Sequence, residues 1–270
     1  MKDSYLPIRP FLVTLIVLML TSVGVRAQNT GEDFVSNLHK FRVSSYVALD
    51  AYYRFSASND SGTLNEIVSG INAANDAMNV VAGNTENILS PQQVESLNKE
   101  FDKFKSLMRD NINDVRKNGY PDLRLVSDMA NQAQAMSDMA ADLYRVALES
   151  NQTNPRVDAA RSAAVMMAEM MARYSVRTNS STAQTFQGAP TDSALDEQAR
   201  QFDALLAQTI KGGADGELKS NLDDVSAKWQ FIRSSYINFN ERNVGFVIDR
   251  YSKGILAGLD NVIGILLSQS

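Results

Sequence analysis

Residues 163–174 read AAVMMAEMMARY, two pairs of methionines in a chain of 270 residues that has no cysteine and a single histidine. On a helix Met166 and Met170 lie one turn apart, as do Met167 and Met171, so the pairs form adjoining stripes about 100° apart. Thioethers at that spacing are ligands for Cu(I), a soft ion. They are equally the adaptable filler of a helix seam. Neither histidine nor cysteine stands near them, and Glu169 is the one carboxylate in the stretch. Met167, Met170 and Met171 also continue the small residues Ala160, Ala163 and Ala164 toward Tyr174. Core packing is the reading adopted, with copper held by Met166, Met167, Met170 and Met171 as the alternative; no cofactor is expected.

Other chemistry has less to stand on. The lone His39 sits among Leu38, Lys40 and Phe41, and without cysteine there is no C-x-x-C-H haem attachment. A di-iron bundle needs Glu-x-x-His pairs, and the chain has none. There is no G-x-S-x-G, no H-E-x-x-H and no phosphate-cradling glycine loop before a lysine. The expectation is a protein that is not an enzyme.

The elements that must carry these residues are helices. Leu64, Ile67, Ile71, Ala74, Met78 and Val81 are spaced 3, 4, 3, 4, 3, the seam of an amphipathic helix. Val94–Met108, Val126–Ala147 and Leu218–Phe239 follow the same rule, and less regular versions run through Phe34–Phe55, Val157–Tyr174, Leu195–Thr209 and Val244–Leu266. Thr63-x-x-Glu66 and Ser193-x-x-Asp196 have the form of capping boxes. Ser90-Pro91 and Asn154-Pro155 put a capping side chain before a proline, and Gly83-Asn84, Asn118-Gly119 and Gly212-Gly213 are stops. No stretch alternates like a strand, so the class is all-α. The polar segment Glu149–Pro155 divides eight helices four and four, and the halves echo each other at an offset that drifts from about 121 to about 125 residues. Two tandem antiparallel four-helix bundles are predicted, residues 28–150 and 151–270; one elongated helical array is the alternative.

Ahead of them, Lys2 and Arg9 precede the apolar run Phe11–Leu20, and Val25-Arg26-Ala27 closes the segment. This is the layout of a signal peptide over residues 1–27, cut after Ala27, with an uncleaved anchor as the alternative. The expected location is the periplasm. Cleavage leaves 23 basic against 30 acidic residues, a net charge of −7 in place of −5. Such a surface repels nucleic acid and anionic lipid. The 243 remaining residues, without disulfides, must be held by their core alone.

VDAARSAAVMMAEMMARY, FDALLAQ, LKSNLDDVSAKWQFIRSSY and FVIDRYSKGILAGLDNVI follow one another over about residues 155–268. In that order they resemble the periplasmic sensor module of nitrate-sensing histidine kinases and of the type IV pilus methyl-accepting chemotaxis transducer. That family carries a box of roughly the form I-N-x-A-G-x-x-R-M-x-S-Q-R-x-A on its first helix, where two arginines hold a small anion between helices. With Val157 and Ala160 set on the box, Arg161 takes the place of the glycine, Ala164 and Glu169 take those of the two arginines, and Val165 and Met167 replace methionine and serine. The box is degenerate. The cations left to serve a ligand are Arg161 and Arg173 beside it and Arg42 near the matching place in the first half.

The resemblance implies a sensory or small-ligand-binding module acting through an envelope or inner-membrane protein, since residues 155–268 carry no kinase or methyl-accepting region. The alternative is a scaffold without a small ligand. A second copy of the chain stays open as a partner. What separates the two readings is the second half's interior: converging polar groups favour a ligand, and continuous apolar filling favours a scaffold.

Overall fold

The computed structural model describes residues 9–83, 88–149, 154–179, 194–239 and 244–269, with side chains from Gly31 onward. They form eight helices: α1 (Arg9–Ser58), α2 (Ser61–Gly83), α3 (Pro91–Asn118), α4 (Leu123–Glu149), α5 (Pro155–Asn179), α6 (Leu195–Ile210), α7 (Gly216–Ile237) and α8 (Gly245–Ser268). No strand occurs among the described residues, and the protein is all-α. The helix α1 is 50 residues long and continuous through the Ala27–Gln28 junction. Among the residues with described side chains, no helix is long and apolar enough to cross a membrane; the run Phe11–Leu20 lies outside them.

Local chemistry sets the helix ends. At α3 the Ser90 hydroxyl accepts from the Gln93 N–H at 3.3 Å and the Gln93 side chain accepts from the Ser90 N–H at 2.9 Å, a complete capping box ahead of Pro91. Gly119, at φ 82°, closes the same helix by donating to the Val115 carbonyl. The α2 cap differs from the expected Thr63. Asp60 holds that place, its Oδ1 accepting from the Thr63 N–H at 3.0 Å, so the helix starts a turn earlier. Asn154 caps α5 by accepting from the Arg156 N–H at 3.0 Å. Ser193 lies outside the described residues.

Side-chain bonds give the helix directions. Antiparallel neighbours are α1 and α2 (Gly70 against Ala48, Glu66 against Arg54), α3 and α4 (Gln132 on Glu100, Asn111 on the Leu125 carbonyl), α5 and α6 (Glu169 with Gln198, Arg156 on the Thr209 carbonyl), and α7 and α8 (Tyr236 with Ser252, Asn221 with Asn261). The contacts run α1–α2–α3–α4 and back to α1, and α5–α6–α7–α8 and back to α5. Between these cycles α1 and α5 lie side by side and parallel, Arg161 on Ser36 and Ser175 on Asp50, both at a separation of 125 residues.

Two apolar cores result, and α5 belongs to both. Its Val165, Ala168, Ala172 and Val176 pack into the first, with α1 to α4; Ala160, Ala164, Met167, Met170, Met171 and Tyr174 pack into the second, with α6 to α8. A helix between two cores needs apolar or small residues on nearly every side, which VDAARSAAVMMAEMMARYSV supplies. Gly258 lets α7 and α8 approach closely: a Cβ there would stand 2.5 Å from the Val225 side chain.

Candidate functional site

Where two apolar cores meet, the charged groups gather along the α1–α5 seam in two clusters. Glu32, Ser36, His39 and Arg42 share one stripe of α1, spaced 4, 3, 3. Arg161 of α5 enters this stripe, at 1% exposure the largest fully buried side chain among the described residues. Its Nη2 pairs with Glu32 and donates to the Ser36 hydroxyl at 2.6 Å. From α4, Tyr144 donates to Asp158 at 3.4 Å and receives the Arg42 guanidinium over its ring, 5.5 Å from the centroid. His39 is 6% exposed; burial, then the positive charges of Arg161 and Arg42, push its pKa down to about 3, so its imidazole is neutral. Burial likewise pushes the Tyr144 phenol up to about 12, with Arg161 pulling the other way.

Polar demand at this lower cluster is not met from within. Arg161 Nε and Nη1, Arg42 Nε and His39 Nδ1 are buried with no close hydrogen-bond partner among the described residues, although the Arg161 guanidinium also bears on the Tyr144 hydroxyl. Each such orphan costs on the order of 1–3 kcal/mol, more for a charged group.

The upper cluster is better satisfied. Asp50, 1% exposed, accepts from the Ser175 hydroxyl at 2.5 Å and from Arg54 at 3.0 Å. Arg54 also meets Glu66 of α2 and, at 3.3 Å, Asp249 of α8, while Lys253 of α8 bridges Glu66 and Asp249 at 2.8 and 2.9 Å. Burial holds the Asp50 carboxyl above its ordinary range, with Arg54 and Ser175 pulling it back. Glu66 is lowered, because the hydrogen bonds from Arg54 and Lys253 outweigh its partial burial.

The sequence candidates thus separate. Arg161 and Arg42 come together at Tyr144 and His39. Arg173 lies twelve residues, about 18 Å, further along α5, paired with Glu169 at 2.8 Å. Met167, Met170 and Met171 are buried in the second core, with Met166 partly buried against it. The Tyr236 hydroxyl lies 4.0 Å from the Met167 sulfur and 2.9 Å from the Ser252 hydroxyl. Among the described residues no three histidine or carboxylate groups are placed to hold a metal ion.

The second core is built of apolar and aromatic side chains, with the buried polar residues Gln198, Thr209 and Ser252 dispersed on its helices. Phe202, Trp229, Tyr236 and Tyr174 make a run of ring contacts with centroids 4.4, 5.8 and 5.5 Å apart. Sequence reasoning missed His39, Tyr144 and Glu32. The 125-residue spacing of the α1–α5 contacts lies at the end of the repeat offset, and had the repeated helices been read as lying side by side, Ser36 would have fallen beside Arg161. Comparison with known proteins finds no family model, no curated protein and no solved structure that matches this chain.

Proposed function

We propose that the chain is an exported, non-catalytic helical module that takes a small ligand at the lower end of the α1–α5 seam and acts through an envelope or inner-membrane protein. One observation carries this: Arg161 and His39 are buried there beside the partly buried Arg42, with buried nitrogens on all three left without a close hydrogen-bond partner among the described residues. A ligand in that place touches α1 and α5 at once, so its affinity depends on how the two helices are set against each other. The resemblance of residues 155–268 to the periplasmic sensor module supports a sensory role, although the seat lies between the halves and not inside the second one.

The architecture proposed is two tandem four-helix bundles. The two closed cycles of contacts and the two cores support it. The parallel pair held at 125 residues is what a duplicated unit packed about a pseudo-two-fold axis would produce. The apolar run Phe11–Leu20 is read as part of an export signal, and the mature chain is expected to begin at Gln28. Mass spectrometry of an envelope fraction checks this, and an intact Met1 or release by detergent alone would overturn it.

A thermal-shift panel of small anions, amino acids and metal ions tests the ligand. A binder at 100-fold its Kd should add about 2.7 kcal/mol of stability, and Arg161→Met should abolish the gain. If no compound acts, the scaffold reading takes over. The observation that favours that second reading is the largely apolar filling of the second core.

A further inference from the structure

We infer that Asp50, Arg54 and Asp249 of the upper cluster form a proton-operated clasp between the two halves: with a proton from solvent on Asp50, Arg54 turns its Nε–H from Asp50 to Asp249 and draws α8 onto α1. The clasp lies at the other end of the seam from the proposed ligand seat and does not depend on it.

One donor stands between two acceptors. Arg54 Nε lies 3.0 Å from Asp50 Oδ2, to which it donates, and 3.3 Å from Asp249 Oδ1. Nε carries a single N–H, and Asp249 Oδ1 is left buried without a hydrogen bond among the described residues. Arg54 Nη2 is engaged by Glu66 and Asp50. Lys253 Nζ stands 2.9 Å from Asp249 Oδ1 but makes its hydrogen bond to Oδ2, at 3.1 Å.

The charges point the same way. Glu66 and Lys253, the most exposed members, balance each other at the rim at 2.8 Å. Deeper in, the carboxylates of Asp50 and Asp249 share one guanidinium, which leaves a negative charge in excess where water is scarce. One proton removes it. Asp50 is the carboxyl that takes the proton, at 1% exposure against 19% for Asp249. Burial raises its pKa most, and the charge of Asp249 adds to the rise. The Ser175 hydroxyl of α5 donates to Asp50 Oδ1 at 2.5 Å, so Oδ2, the oxygen Arg54 vacates, is the place for the proton. From α7 the Tyr236 phenol feels both aspartates, but its hydroxyl is held by Ser252 at 2.9 Å. Asp114 of α3 bears on Tyr52, about 200° round α1 from Asp50.

The sign follows from the raised pKa. The folded state holds the Asp50 proton more tightly than the unfolded state, so the clasp closes as pH falls through the folded pKa and opens as pH rises. Glu66, held below its ordinary 4.5, keeps its charge above that value.

Carboxyl carbon-13 and arginine Nε–H signals of the full chain, assigned through their backbones, are followed by NMR as pH is lowered. Asp50 is expected to titrate above its ordinary 3.8, with the Arg54 Nε–H signal moving at the same midpoint. In Asp249→Asn the guanidinium is no longer shared, and the Asp50 midpoint should fall by about one pH unit. Hydrogen exchange along α8 from Gly245 to Leu256, corrected for its intrinsic pH dependence, should slow over the same range in the parent and stay constant in Asp50→Asn. An ion pair that is only structural keeps its Nε–H on Asp50 throughout. An Asp50 midpoint at or below 3.8, an Nε–H signal that ignores it, a midpoint unmoved by Asp249→Asn, or exchange in Asp50→Asn that tracks pH as the parent does would each overturn the clasp. Should Asp50→Asn fail to fold, the titrations of the parent and of Asp249→Asn decide the matter by themselves.

Discussion

Replacing Arg54 with alanine is expected to cost about 3–5 kcal/mol, because it strips a buried carboxylate of its counter-ion. Asp50 is 1% exposed and, among the described residues, keeps the Ser175 hydroxyl alone once the guanidinium is gone. Arg54 itself is 15% exposed and reaches Glu66 and Asp249 as well, so solvent screens little of the loss. Urea unfolding at neutral pH checks the value, and a cost below about 1 kcal/mol, the range of a surface pair, would show the cluster misread. Arg54→Ala combined with Asp50→Asn should recover most of the loss, since a neutral amide removes the stranded charge and can still bond Ser175. The pH dependence has a definite sign. The folded pKa of Asp50 already lies above its ordinary value of 3.8, and losing Arg54 raises it further. The folded state then holds its proton more tightly than the unfolded state does, so the defect of the variant is full above the folded pKa and shrinks as pH falls toward 3.8. The lowered carboxyl of Glu66 acts oppositely in the parent: its contribution is present above the unfolded value of 4.5 and is lost as pH falls through the folded pKa.

Much of the helical pattern was legible because burial on one face writes a 3-4 spacing into the chain. Val94, Leu97, Phe101, Phe104 and Met108 are all buried, as are the seam positions from Val126 to Ala147. The spacing blurs where a helix has two faces to bury. In α5, Val165, Ala168 and Ala172 serve the first core between positions that serve the second, so the seam reads as an unbroken small and apolar run. That run is itself a signal: a helix apolar nearly all round is an interior one. The α2 cap was misplaced for a different reason, since Thr63-x-x-Glu66 satisfies the pattern one turn after Asp60, whose carboxylate is the cap.

The candidate site was harder to see. Arg161 and Arg42 could be named as cations near the degenerate box, but nothing local tells a buried arginine from a solvated one on a helix. Arg161 is buried because α1 passes alongside it, bringing Glu32 and Ser36 from more than a hundred residues away. His39 shows the same limit. Its depressed pKa comes from burial, from Arg161 122 residues distant, and from Arg42 and Lys40 nearby, and no spacing around Leu38–Phe41 records the first two. Only the offset between the halves carries such information, and it does so once the repeated helices are taken as neighbours.

Replacing Trp229 with alanine is expected to cost roughly 3–5 kcal/mol, the range for removing a buried aromatic from a core that does not collapse around the gap. The indole is 3% exposed and occupies one position of the unbroken Leu218–Tyr236 seam of α7. Its ring stands 4.4 Å from Phe202 and 5.8 Å from Tyr236, centroid to centroid, so its loss breaks the middle of the aromatic run. Its Nε1 donates to Asp203 at 2.7 Å, but Asp203 keeps three hydrogen bonds from Arg233 and is partly open to water. The lost hydrogen bond is therefore the smaller share, about 0.5–1.5 kcal/mol, and the cavity is the larger. Trp229→Phe separates the two, since it removes the N–H while keeping a ring between Phe202 and Tyr236, and it should cost clearly less than the alanine variant. Trp229 is the chain's one tryptophan, so the variants must be followed by far-ultraviolet circular dichroism instead of indole fluorescence. An alanine variant that melts within a degree or two of the parent would mean that the second core does not close around this residue. The two-core account of α5 would then fail with it, because Met167 and Tyr174 pack into the same core as the indole.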